Sequence, residues 1–445
     1  MPRKIHGEIR VKNRQLRWST IFGALALGGY AAGACAQDIM PGQPFNSAPA
    51  KSSAPASNDS GGSEDSGGDA GGHFRAQGNL MRTYTSNMYY ANSQQDKIRA
   101  WGWAMQPGLL YSNDLPRLHL TAGLDGTLAS YNTPGQHDDY ADGTVTLGAH
   151  WAPLQFDRIN FDGAYGFGHD PLGTNRTEGD ATLGATAVSP DKWGNASASL
   201  DWQHGSNIRG LLTDVKVLYL NRTYLNNKDA TRYENFHAVT GEGAVFYAFS
   251  PKTQLVGDFA VTKFEQPNTF ASFADQSALQ YQALGGGRWY ASAKFFTDVR
   301  AGWVRREFDN GSRPDFTGVT WTAAATWTPQ PFRVFNLETG RRSDPSYLPQ
   351  AGFINTRYVQ TQWMENWNSR LYTRLVGNYL YANFENTPRH DNNYFGALFV
   401  NYSVTRSLDA FVIGAFGRRN SIDTTLEYSR ADVFAGIKYV FFSNL

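Results

Sequence analysis

Residues 295–306 alternate strictly. Phe295, Thr297, Val299, Ala301 and Trp303 fall on one face, and Asp298, Arg300, Gly302 and Arg306 on the other. A period of two predicts a β-strand whose two faces meet different surroundings. The same split sets Leu255, Gly257, Phe259 and Val261 against Gln254, Asp258 and Thr262. It recurs as Leu371, Thr373, Leu375, Tyr379 and Tyr381 against Arg370, Arg374 and Asn378, and near the C-terminus as Val433, Ala435, Ile437, Tyr439 and Phe441 against Asp432, Gly436 and Lys438.

Alternation alone also describes a soluble sandwich, so segment length and connector rhythm decide. Sandwich strands run to about 5–6 residues, whereas a tilted strand needs about 9–11 to cross a bilayer. Many segments here are that long or longer. Short connectors at 112–116, 152–155, 189–192, 250–252, 328–331 and 404–407 alternate with longer polar ones at 132–139, 169–179, 266–276, 309–315, 343–352, 386–391 and 420–425. Short turns at one end and long loops at the other predict an outer-membrane barrel. Aromatics crowd near strand ends, as at Trp101, Trp103, Trp289, Tyr290, Trp321, Trp327, Trp363, Trp367, Phe441 and Phe442, where interfacial girdles would hold them. The fold class read from this pattern is all-β, a transmembrane antiparallel barrel of about 16 to 18 strands. The even count of about 18 is favoured, and residues 194–249 are ambiguous.

The chain ahead of the alternation is of another kind. Arg3, Lys4, Arg10, Lys12, Arg14 and Arg17 precede an apolar stretch ending in Ala34-Cys35-Ala36, which reads as a secretory signal peptide over residues 1–36. An uncleaved anchor or a lipidated Cys35 are the alternatives. The apolar region is short and rich in Gly and Ala, however, and Ala32-Gly33-Ala34 lacks the Leu usual before a lipidated cysteine. Residues 41–72 are rich in Ser, Ala, Gly, Pro and Asp and bury too little to offset the entropy of ordering, so a disordered periplasmic linker is expected over 37–79, with the barrel over 80–445.

Composition excludes several functions. With 40 Lys plus Arg against 39 Asp plus Glu there is no electrostatic footprint for nucleic acid, and one cysteine supports neither a disulfide framework nor a Cys-rich zinc site. No phosphate loop, dinucleotide fingerprint, His-Glu-x-x-His pair or Gly-x-Ser-x-Gly elbow occurs. His137-Asp138-Asp139 and His390-Asp391 read as solvated loops rather than metal sites. No enzyme activity, cofactor or metal is expected.

Several stretches carry a family resemblance. They are Met105-Gln106-Pro107-Gly108-Leu109-Leu110-Tyr111, Tyr131 before a loop with Asp138-Asp139, Gly340-Arg341-Arg342-Ser343-Asp344, Arg418-Arg419-Asn420-Ser421, and Tyr428-Ser429-Arg430-Ala431-Asp432. In that order, the chain from about Thr83 onward resembles the β-barrel porin family associated with exopolysaccharide and capsule biosynthesis loci. The resemblance implies an outer-membrane channel or accessory barrel for polysaccharide export, in a Gram-negative bacterium, and supplies no catalytic residues. Gly436, Tyr439 and Phe441 resemble the assembly signal that barrels present to the barrel assembly machinery, although Ser443-Asn444-Leu445 displaces the usual terminal aromatic.

The candidate lumen or substrate-path residues are Asp298, Arg300, Arg306, Arg370, Arg374, Asn378, Asp432 and Lys438, with Tyr372 and Phe395 offering rings to sugar faces. Mixed charges in a wet pore set its selectivity, but they equally serve as ion pairs bracing the wall, and the sequence leaves both open. Expected partners are outer-membrane lipid, polysaccharide or small hydrophilic solutes, the assembly machinery and periplasmic export partners reached through the linker. A general diffusion porin and a surface adhesin or receptor using the long loops are the competing functions; an outer-membrane hydrolase lacks any specified constellation.

Overall fold

The computed structural model describes residues 72–444 apart from 93–96, 134–137, 181, 184–187, 207–209, 270–274 and 312. The signal peptide and residues 37–71 of the linker lie outside the described residues. The first half of the barrel comprises β1 (Gly72–Thr85), β2 (Ala100–Leu115), β3 (Leu118–Tyr131), β4 (Tyr140–Trp151), β5 (Asp157–Asp170), β6 (Asp191–Gly205), β7 (Gly210–Tyr224), β8 (Phe236–Ser250) and β9 (Thr253–Glu265). The second comprises β10 (Ala278–Ser292), β11 (Phe295–Phe308), β12 (Phe316–Gln330), β13 (Arg333–Asp344), β14 (Ile354–Asn366), β15 (Leu371–Phe384), β16 (His390–Ser403), β17 (Leu408–Ser421) and β18 (Tyr428–Asn444). Every strand pairs with its sequence neighbours, and β1 closes on β18, with Thr85 opposite Asp432 and His73 opposite Asn444. The result is an 18-stranded antiparallel barrel, the favoured count; the ambiguous stretch resolves into β6, β7 and β8.

The alternation maps onto inside and outside. On β11, Val299, Ala301 and Trp303 are exposed while Asp298, Arg300 and Arg306 are buried. Apolar residues therefore cover the exterior and charges line the interior, the reverse of a soluble core. Leu124, Leu147, Leu200, Leu375 and Leu398 form the outer belt, flanked by Trp101, Trp103 and Trp303 toward the long-loop end and by Trp151, Trp289, Trp327 and Trp367 toward the short-turn end. Tyr290 points inward instead, because it shares the face of Arg288. β1 starts and β18 ends at the short-turn end, which in such barrels faces the periplasm.

Two boundaries move. β1 begins at Gly72, not residue 80: residues 72–79, with Phe74 their one large apolar side chain, pair on one side with β2 and on the other with β18, so ladder pairing rather than side-chain burial fixes this edge. Residues 189–192 are not a short turn either. They end the connection that begins after Asp170, and β6 starts at Asp191.

The longest gap in the ladders is between β12 and β13, whose pairing stops at Thr322 and Gly340, although β12 stays paired to β11 as far as Phe316 and β13 to β14 as far as Asp344. Side chains bridge the gap: the Thr320 hydroxyl donates to the Arg341 carbonyl at 2.9 Å, and Arg341 Nη1 donates to the Val319 carbonyl.

A barred mouth and a charged lumen

The connection after β5 folds across the outer mouth. It turns at Gly173, whose φ of +88° suits glycine and where a Cβ would strike the Tyr89 carbonyl, and enters a 3-10 turn at Asn175–Thr177. Arg176 anchors it by donating from Nε and Nη2 to the two carboxylate oxygens of Asp191, both at 2.8 Å. Leu172 and Leu183 pack on Tyr89 from the β1–β2 connection. At the tip, Glu178 accepts from Arg419 Nη1 at 2.8 Å, from Arg389 Nη2 at 3.0 Å and from the Tyr347 hydroxyl at 2.8 Å. Arg389 lies just before β16, almost diametrically across the ring from β5 and β6. The loop is thus a bar from one wall to the other, and its carboxylate is buried among charged donors, the strongest class of hydrogen bond.

Beside the bar is a cavity of about 340 Å³ whose lining includes Arg176, Glu178, Tyr233, Glu234, Gln276 and Tyr347. The Glu234 carboxyl, in the β7–β8 connection, is pushed up to about 8, first by burial and then by the negative charge of Asp170. At neutral pH it is therefore mostly a neutral group that donates as well as accepts.

Inside the barrel, acids gather on one arc: Asp201, Asp214, Glu242 and Asp258 project inward from β6, β7, β8 and β9, with Lys216 of β7 in register between Asp201 and Glu242, while Arg75, Arg374 and Lys438 project from β1, β15 and β18. Lys438 stands opposite Asp409 in the β17–β18 register. Asp298 and Arg300 occupy a sealed network: Arg288 Nε reaches Asp298 Oδ2 at 2.6 Å, and Arg300 bridges Asp298 and Asp258, each at 2.9 Å. Both guanidiniums lie over the Phe246 ring, at 4.2 and 5.4 Å. Arg306 sits among the Phe264, Phe308 and Phe353 rings and donates to the Gln276 carbonyl at 3.4 Å. Asp432 accepts from Arg430 Nε at 2.8 and 2.9 Å.

Tyr372, Arg374 and Asn378 share the inner face of β15, and the Arg374 guanidinium stacks 4.0 Å over Phe399. Phe395 and Phe399 join Phe411, Ile413 and Phe434 in an apolar patch on the inner wall. Arg370 is different. It lies in the exposed turn before β15, where the Asn368 side chain accepts from the backbone N–H groups of Arg370 and Leu371 and so ends the alternation one residue early. Of the residues expected to form a C-terminal assembly signal, Tyr439 and Phe441 face outward, and a Cβ at Gly436 would run into the Leu80 carbonyl across the closing seam.

The mouth residues Glu178, Arg389 and Tyr347 were not foreseen. They come from connectors without periodicity, and a lone acid in a polar loop carries no mark of its partner. Asp391 is committed to Arg389 and Ser421, and Asp138 to Tyr89 and Thr133. Among the described residues no group of three or more His, Cys, Asp or Glu is arranged to hold a metal ion.

Several solved structures align with much of the chain at low similarity. OpdK of Pseudomonas aeruginosa, solved with vanillate, aligns at 10% identity and a TM-score of 0.41, covering 84% of this chain and 99% of its own. The FrpB iron transporter of Neisseria meningitidis aligns at 9% identity and a TM-score of 0.45, covering 84% and 81%. OccAB4 of Acinetobacter baumannii aligns at 10% identity and a TM-score of 0.41, covering 84% and 99%. No curated protein matches the sequence. The model of the family described as "Putative beta-barrel porin 2" matches residues 65–441, nearly all of the barrel and its approach, and the chain belongs to that family of Gram-negative outer-membrane barrels.

Proposed function

We propose that the barrel is an outer-membrane channel gated at its outer mouth, which passes a saccharide in the export of an extracellular polysaccharide. The observation that carries this reading is the Glu178 bar together with the cavity beside it. A loop tied to the far wall by two arginines narrows the outer mouth, and its release is the opening step that a gated conduit needs. Tyr233 and Tyr347 offer flat rings to sugar faces, and Gln276, Glu234 and Arg176 offer donors and acceptors to hydroxyls, a mixture typical of polar-ligand sites. The patch around Phe395 and Phe399 gives the inner wall aromatic surface next to the cationic strands.

Passage is passive in this picture. A wet lumen keeps the solute hydrated and lowers its barrier, and the drive comes from periplasmic export partners recruited through the segment before β1. The barrel assembly machinery, reading Gly436, Tyr439 and Phe441, inserts the chain. The test is single-channel recording of the purified protein in planar bilayers with neutral and acidic oligosaccharides. Transient block by oligosaccharides, weakened by Tyr347→Ala, supports the reading. Permanently open current indifferent to both sugars refutes it in favour of a diffusion porin.

A further inference from the structure

The outer face of the barrel is not uniform at its long-loop end. Over β1, β2 and β11 the outward residues there include Tyr84, Trp101, Trp103 and Trp303, an aromatic girdle in which the Arg82 guanidinium is held over the Trp101 and Trp103 rings at 5.4 and 5.2 Å. Over β13 to β17 the girdle is replaced by polar and basic side chains in cross-strand rows. Arg341 stands opposite Arg357, Arg357 opposite Tyr381, Tyr381 opposite Asn392, and Asn392 opposite Asn420. The row below runs from Tyr379 through Tyr394 to Arg418, and the row above pairs Asn355 with Asn383. All belong to the outward parity: on β14, for example, Val359 is exposed and Tyr358 buried.

The charges in this patch are poorly compensated. Arg357 and Arg418 are exposed, and among the described residues neither meets a carboxylate; Arg357 lies 5.4 Å over the Tyr381 ring, and Arg418 donates to the Asn420 side chain at 2.8 Å. Arg341 donates to the Asn355 side chain at 2.7 Å. Glu385, at the upper edge, is held by the Asn355 and Asn383 amides at 2.7 and 2.8 Å. Two arginines directly opposite one another on a sheet repel, and on a lipid-facing wall each costs free energy unless it sits at headgroup level with a counter-charge. Neighbouring amides and tyrosines add hydroxyl-binding groups.

We propose that the outward face of β13 to β17 binds the phosphorylated saccharide headgroup of an outer-leaflet glycolipid, with Arg357 and Arg418 taking phosphate and Asn392, Asn420 and Tyr394 taking sugar hydroxyls. A phosphate at each of these two arginines, which stand three strands apart on β14 and β17, supplies the missing counter-charge, and the headgroup is the polar matter that lies at this height outside the wall. The site would fix the lipid beside β13, next to the gap in the β12–β13 ladder.

The test is native mass spectrometry of the full chain in detergent, titrated with bisphosphorylated lipid A, with dephosphorylated lipid A and with phosphatidylglycerol. Selective retention of the bisphosphorylated form is expected. The double variant Arg357→Gln, Arg418→Gln should weaken it about thirtyfold, from about 1 kcal/mol per arginine near an anionic surface. Arg357→Lys, Arg418→Lys should keep binding, and Arg305→Gln, an exposed residue already paired with Glu307 at 2.8 Å, should change nothing. Equal retention of the dephosphorylated form or of phosphatidylglycerol would overturn the proposal, as would full binding by the Gln variant. Self-association of the wild type that the Gln variant loses would overturn it too, making the patch a contact between copies. The lipid comparison uses the wild type alone, so it decides even if a variant does not fold.

Discussion

Glu178 Oε2 lies 2.8 Å from Arg419 Nη1, although the two residues are 241 positions apart and rooted on different walls of the barrel. This contact, with Arg389 beside it, holds the loop across the mouth. Removing one member of a buried ion pair costs about 3–5 kcal/mol, enough to shift a closed-to-open balance by roughly two orders of magnitude or more. Glu178→Gln and Arg389→Ala should each raise mean single-channel conductance and shorten closed times in planar bilayers. Unaltered traces from both would show that the bar does not limit current.

The mouth should also respond to pH through Glu234. An undocked glutamate has an ordinary value of about 4.3, whereas here it is raised to about 8. The docked state then holds a proton that the undocked state has released, so its stability is complete below the ordinary value, declines as pH rises, and is lost through about 8. Closures should be longer at acidic pH than at alkaline pH, and Glu234→Gln should flatten the profile. Retention of the full profile in that variant would assign it to another group.

Asp298 braces the wall rather than standing free in the pore. Asp298→Ala takes one carboxylate from two buried guanidiniums, Arg288 and Arg300, leaving Arg300 its second carboxylate Asp258, and should cost about 3–5 kcal/mol. The readout is the urea midpoint of the folded, heat-modifiable band in micelles. A midpoint equal to wild type would mean that water reaches the network and screens it.

Closure of the seam makes a separate demand. Gly436→Val places a side chain against the Leu80 carbonyl and should prevent pairing of β1 with β18. Tyr439→Ala and Phe441→Ala remove only outward rings and should slow insertion while leaving a closed product. Pulse-labelled cells assayed for the heat-modifiable form distinguish the two effects.

The period of two in residues 295–306 or 371–381 determined strand and face, and strand length with the rhythm of short and long connectors determined the barrel, because a chain that crosses lipid must turn every second side chain toward it over the full thickness of the membrane. The lumen positions of Asp298, Arg374 and Lys438 follow from the same count. Arg370 shows its limit: the count continues through a turn that Asn368 ends. Gly72 and its neighbours show another, since backbone pairing needs no hydrophobic signature. What Asp298 does once inside was open in the sequence and was decided by Arg288 and Asp258, which closure brings beside it. The bar from Glu178 to Arg389 and Arg419, the gap beside Arg341 and the row from Arg357 to Asn420 were decided only by tertiary structure. The reason is physical: alternation records which medium a side chain faces, but a loop carries no period, and which residues stand side by side around a ring is set by register, which no single strand contains.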